Sequence, residues 1–136
     1  MWTAALFWAC AAPPSPIEET CEPGPLLAGE IRAKRIACGD EIAPSGEARV
    51  GDWLLENSRI RFGIRDATQP LTQLVGTGGT IVDVAQPQGA DFIIEAIPYK
   101  DDQWFTDAKI TSWSDEERAA IVITGTLPDG RNHSVS

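Results

Sequence analysis

Histidine is almost missing from this sequence: His133 is the only one among 136 residues. That scarcity excludes a histidine-based metal centre, and it leaves no plausible Ser-His-Asp or Cys-His arrangement for nucleophilic catalysis. Basic side chains are also few, 11 Lys and Arg against 20 Asp and Glu, giving a net charge of −9 and a pI near 4.4. Nucleic acid and anionic membrane surfaces need clustered cations, so neither is expected as a main partner. No loop has the glycine and glutamate spacing of an EF-hand, and no stretch of convincing length shows helical periodicity. The one glycine-rich loop, Gly76-Thr77-Gly78-Gly79, lacks the Gly-Lys-Ser/Thr ending of a phosphate-binding loop and runs into a strand pattern. No cofactor and no metal is therefore expected.

What is present describes a folded module. Hydrophobic residues make up 43% and charged residues 23%, which suits one globular domain and is too apolar for a disordered chain. Residues 1–12 carry no charge and are dense in apolar and small side chains. The stretch is shorter than the roughly 20 residues of a membrane helix but has the length of a signal-peptide core, although a basic leader is missing. Residues 13–28 include Pro13, Pro14, Pro16, Pro23 and Pro25 with Glu18, Glu19 and Glu22, the composition of a disordered tether. The β domain is expected over residues 29–136.

The three cysteines fit an exported protein. Cys10 ends the apolar stretch after Phe7-Trp8-Ala9, where lipidation of Cys10 and plain cleavage after Ala9, Ala11 or Ala12 are the alternatives. Cys21 and Cys38 then form a pair that closes a disulfide in an oxidising compartment, or remain as free or buried thiols. A bridge closing a loop of roughly 15–20 residues would stabilise the domain by about 3 kcal/mol.

The strand pattern is plain from Gly51 onward. Trp53-Leu54-Leu55 leads into the turn composition Glu56-Asn57-Ser58, and the next residues alternate. Ile60, Phe62 and Ile64 share one face, Arg59, Arg61 and Arg65 the other, which predicts a hairpin with a half-buried strand and a solvent-facing arginine row. Glu30–Ile36 reads as either a strand or a helical turn, and Gln69–Val75 is ambiguous. Gly78 and Gly79 allow a positive-φ turn or a close backbone crossing before the strand Thr80–Val84. Further strands are expected at Asp91–Ile97, Ala108–Trp113 and Ala119–Thr124. Leu127-Pro128-Asp129-Gly130 is a turn, but residues 131–136 are too short and polar to predict a return strand. Strands at this spacing predict an all-β antiparallel sandwich or partial supersandwich. The apparent gap beside Ala119–Thr124 suggests part of a longer protein, with a self-contained small sandwich as the alternative.

Candidate binding residues are aromatic. Tyr99, Trp104 and Trp113 lie in loops or at strand ends, where indole faces stack on sugar rings, though strand-edge packing explains Trp113 and Trp53 as well. The acids Asp101, Asp102, Asp107 and Asp115-Glu116-Glu117 read as solvated turns, and Asn132-His133-Ser134 has the form of an N-glycosylation acceptor.

Gly51-Asp52-Trp53-Leu54-Leu55-Glu56-Asn57, the alternating Arg59–Ile64 strand and Gly78-Gly79-Thr80-Ile81-Val82-Asp83 together resemble the first domain of large bacterial envelope proteins, often lipoproteins. The order of strand, Gly-Gly and strand is similar to the start of a galactose-mutarotase-like supersandwich. The resemblance covers roughly residues 51–130. It implies an exported envelope module with a downstream domain of the same chain, which in some such proteins is a metallohydrolase. Neither the metal-binding histidines of those hydrolases nor the mutarotase His and Glu pair has a counterpart here. The expected function is thus a non-catalytic module in the periplasm, anchored to the outer membrane or outside the cell. It would bind a glycan or envelope protein or act as a spacer, meeting the membrane only through a lipid on Cys10. The alternative is the opening part of a carbohydrate-active or metal-dependent hydrolase whose catalytic residues lie beyond Ser136.

Overall fold

The computed structural model describes residues 20–22, 24–68, 78–93, 96, 105, 107–115 and 117–136. Cys10, Gln69–Val75, Tyr99, Asp101, Asp102 and Trp104 lie outside the described residues. Within them the chain is all-β, with two antiparallel sheets. The first has the order β1 (Ile31–Arg35), β2 (Trp53–Asn57), β3 (Arg61–Ile64), β4 (Ile81–Ala85), and the second β5 (Lys109–Ser114), β6 (Ala119–Thr126), β7 (Asn132–Val135).

The hairpin read from the sequence sets the register of the first sheet. Asn57 makes its turn, its side-chain oxygen accepting from the Arg59 and Ile60 N–H groups while its own N–H donates to the Ile60 carbonyl. Trp53 then pairs with Ile64, Leu55 with Phe62 and Glu56 with Arg61. Directly opposed residues point the same way. Trp53, Leu55, Phe62 and Ile64 therefore face the second sheet, where they meet Phe105, Ile121, Ile123 and Leu127. Leu54 turns outward into a smaller cluster with Ile36, Ala48 and Val82.

That second cluster corrects the expected solvent-facing arginine row at Arg61 and Arg65, whereas Arg59 is exposed as expected. Arg61 is 7% exposed and Arg65 only 1%, because the segment between β1 and β2, with a 3-10 turn at Gly39–Glu41, lies over the outer face of the first sheet. Arg61 reaches Glu56 Oε2 at 2.8 Å and Arg65 reaches Asp52 Oδ2 at 2.8 Å, so acids supplied by neighbouring backbone permit burial. The sheet is covered on both faces.

Glu30–Ile36 resolves as the strand β1, paired with β2 from Ile31↔Asn57 to Arg35↔Trp53. The glycines before β4 do what their pattern allows. Gly79 has φ +94°, and a Cβ on Gly78 would strike the Ala67 backbone, so the chain crosses itself there without side chains. The strand expected at Asp91–Ile97 is reduced, among the described residues, to single bridges at Asp91 with Ala85 and Ala96 with Ile81, and Phe92 is 62% exposed.

Residues 131–136 depart from expectation. The turn at Leu127–Gly130 forms, with Gly130 at φ +85°, and β7 returns along β6 with Ile123 opposite Val135 and Thr126 opposite Asn132. A polar strand is stable there because Asn132 and Ser134 face solvent on the outer side, so only two of its positions need to face inward. β6 is thus flanked on both sides, and among the described residues β5 and β7 are the edge strands of this sheet.

Candidate functional site

Two places concentrate chemistry-bearing side chains, one sealed and one open. The sealed one is the ionic layer beneath the β1–β2 segment. Asp52 has no exposed surface; its carboxylate accepts from the Asp66 N–H, the Arg49 N–H and Arg65 Nη1, at 2.8, 2.9 and 2.8 Å. Asp83, 1% exposed, accepts from the Glu47 and Ala48 N–H groups at 2.6 and 3.2 Å and so holds that segment to β4. Burial pushes both carboxyls above their ordinary value, partly opposed by these hydrogen bonds and by the Arg65 charge. Asp66 goes the other way. Burial acts to raise it, but bonds from Thr68 and from Trp53 Nε1, at 2.8 Å, together with the Arg35 charge, leave it lowered.

Raised carboxyl pKa values in a cleft would suggest an acid catalyst. Among the described residues, both carboxyls are sealed from solvent. Asp52, Asp83 and Arg65 are enclosed and committed to backbone and to one another, the arrangement of a structural network. Trp53, on the inner face, is tied to this layer through Asp66: it is 7% exposed, its Nε1–H is held by Asp66, and the Arg35 guanidinium lies 4.5 Å from the centre of its ring. It offers no face to a ligand.

The disulfide sits at the rim of this layer. Cys21 and Cys38 are bonded, with their Cα atoms 5.5 Å apart. The bridge lays residues 20–22 and Gly24 against β1: the Glu22 N–H donates to Glu41 Oε1 at 2.7 Å, Arg32 pairs with Glu22 at 3.0 Å and reaches the Gly24 carbonyl, and Lys34 reaches the Thr20 carbonyl. Part of the Pro/Glu-rich stretch is therefore docked on the domain. The two sulfurs and a Glu41 oxygen lie within 4.8 Å of one another, but the S–S bond and the Lys34 ion pair with Glu41 occupy those groups.

The open place is the outer face of the second sheet. Register puts Lys109, Thr111 and Trp113 of β5 on the same face as Thr124, Val122 and Ala120 of β6. Trp113 is 45% exposed, and the residue directly across from it is Ala120, too small to cover an indole. On one side the Arg118 guanidinium stands 5.8 Å from the ring centre, steadied by an ion pair to Asp115 at 3.5 Å. Asp115 also accepts from the Glu117 and Arg118 N–H groups, which ties these residues together beside the ring. Toward the other end of the same face lies a groove of about 540 Å³ lined by Asp107, Lys109, Thr124, Thr126, Asn132 and Ser134, among others.

No protein-family model, curated protein or solved structure matches this chain. Its chemistry must be read from its own residues. Of the aromatic candidates, Trp113 stands on an open face and Trp53 is core; Tyr99 and Trp104 are not among the described residues. The polar groove escaped sequence reading because it joins residues from three strands. The alternation of Lys109, Thr111 and Trp113 against Ile110 was the available signal for the face.

Proposed function

We propose that this chain is an exported, non-catalytic β module that binds a glycan across the outer face of the β5–β6–β7 sheet. The observation that carries the reading is Trp113: a half-exposed indole on an open sheet face, across from a small residue and on the same face as a polar groove. A sugar ring has an apolar C–H face that packs on an indole, while its hydroxyls need donors and acceptors of the kind that Thr124, Thr126, Asn132 and Ser134 supply. Export to the periplasm, the outer membrane or the exterior is supported by the Cys21–Cys38 bridge, since disulfides persist in oxidising compartments. The enclosure of Asp52 and Asp83 supports a binding role over acid catalysis.

Glycan-array screening of the full chain followed by titration calorimetry tests the reading. A saturable oligosaccharide ligand is expected, and Trp113→Ala should weaken it by about tenfold or more without changing the melting temperature appreciably. Finding no saturable glycan would reduce the module to a spacer. Unchanged affinity in the variant would move the site elsewhere.

A further inference from the structure

The sulfurs of the bridge belong to a cluster of three side chains. Cys38 stands at the start of the 3-10 turn Gly39–Glu41, and the Glu41 N–H donates to the Cys38 carbonyl at 3.3 Å. Side chains at i and i+3 of such a turn eclipse one another, so the turn by itself sets Cys38 beside Glu41. Cys21 comes from the docked strap, next to Glu22, whose N–H donates to Glu41 Oε1 at 2.7 Å. Both sulfurs and a Glu41 oxygen lie within 4.8 Å of one another.

Donor capacity, charge and spacing give this cluster the character of a ligand set. Glu41 has no exposed surface, and it accepts from Lys34, the Glu22 N–H and the Ala37 N–H. A carboxylate offers about four acceptor sites, so one remains, on a group that the bonded sulfurs cannot serve as donors. With the bridge open, two thiolates and the Glu41 carboxylate beside the Lys34 ammonium leave two negative charges, which one divalent cation cancels. Zn–S bonds of about 2.3 Å place two sulfurs about 3.8 Å apart in a tetrahedral site. With Cα atoms 5.5 Å apart, rotation about the two Cα–Cβ bonds reaches that spacing without moving the backbone.

We infer that, once the bridge is reduced, Cys21, Cys38 and Glu41 bind a thiophilic divalent cation of the zinc class. Thiolates favour such an ion over magnesium or calcium. Cys21 is exposed, so the fourth position opens to solvent and takes a water. The reductant is a dithiol. One of its thiolates attacks a bridge sulfur, its second thiol displaces the mixed disulfide, and two electrons pass to the bridge as the reductant closes to a cyclic disulfide. Cation binding then sends the two cysteine protons to solvent. The ion takes over from the bridge and holds the strap on β1 in a chain whose disulfide is open.

The test uses the full chain with Cys10→Ser, so that only Cys21 and Cys38 report, reduced with a phosphine that does not chelate the ion. Cobalt(II) titration should give sulfur-to-cobalt absorption in the near ultraviolet and the strong visible bands of tetrahedral coordination, both removed by zinc. Zinc should also return the denaturation midpoint lost on reduction. The oxidised chain should give no bands, nor should Cys21→Ser with Cys38→Ser. Glu41→Gln should bind about tenfold weaker or worse, and its visible bands at saturating cobalt should shift because a ligand has been exchanged. Asp40→Asn, exposed in the same turn, should do neither. Circular dichroism checks that each variant is folded. Absence of the sulfur absorption from the reduced chain, or its persistence in the double serine variant, would overturn the site. Unshifted bands in saturated Glu41→Gln would overturn Glu41 as a ligand.

Discussion

Arg65 joins three parts of the chain. Its Nη1 pairs with Asp52, its Nη2 donates to the Glu47 carbonyl at 2.7 Å, and its Nε has no hydrogen-bond partner. Replacing it with methionine keeps much of the volume but strands the Asp52 carboxylate and the Glu47 carbonyl. Breaking a buried pair from one side costs about 3–5 kcal/mol, and we expect Arg65→Met to lose that much in urea denaturation at neutral pH. The loss should shrink in acid. Burial already raises the folded Asp52 carboxyl above its unfolded value of 3.8, and removing the cation raises it further. For such a group, the favourable state is fully present below the unfolded value and is lost as pH rises through the folded one. A penalty that stays constant from acid to neutral pH would show that Arg65 acts by packing alone. The alternation of Arg59, Arg61 and Arg65 was legible in the sequence, but its meaning was not. Period 2 separates two faces without saying which is wet; Arg59 stays exposed, while Glu56 of β2, Asp52 and the overlying β1–β2 segment make the face dry at Arg61 and Arg65. The paired Asp52, Glu56, Asp66 and Asp83 in the same stretch were the missed signal.

At the scale of elements, the β1–β2 segment is organised by one carboxylate. Glu41, with no exposed surface, accepts from Lys34 at 2.8 Å, from the Glu22 N–H and, through Oε2, from the Ala37 N–H at 2.7 Å. Burial opposes its ionisation, but these bonds and the Lys34 charge outweigh burial and hold the carboxyl below its ordinary 4.5. The sign is opposite to that of Asp52: the stability Glu41 contributes is present above 4.5 and is lost as pH falls through the lower folded value. Glu41→Gln should therefore cost about 1–3 kcal/mol at neutral pH, with the two melting curves converging in acid. A gap that widens in acid would contradict this. Sequence reading placed β2, β3, β4, β5 and β6, because each has an alternating or β-branched run. It missed β7, since a four-residue strand with polar outer positions looks like a tail, and its partner β6 could not be seen to reach past Thr124.

Across the whole molecule the two sheets are finished differently. The first has its outer face covered by the β1–β2 segment, the ionic layer and the strap that the disulfide fastens, whereas the outer face of the second is bare around Trp113. A module of this size has a modest core, and small domains commonly depend on such staples. Reducing Cys21–Cys38 should release Thr20, Glu22 and Gly24 from Lys34, Glu41 and Arg32 and lower stability by about 2–4 kcal/mol, as should Cys21→Ser with Cys38→Ser. Denaturant titration with and without reductant measures the change. An unaltered midpoint would mean that the strap's hydrogen bonds hold it without the bridge. Because the bridge lies on the covered side of the first sheet, reduction should not alter glycan affinity measured well below the melting temperature. If affinity fell together with stability, the ligand surface would have to include the strap, and the open face of the second sheet would no longer suffice as the site.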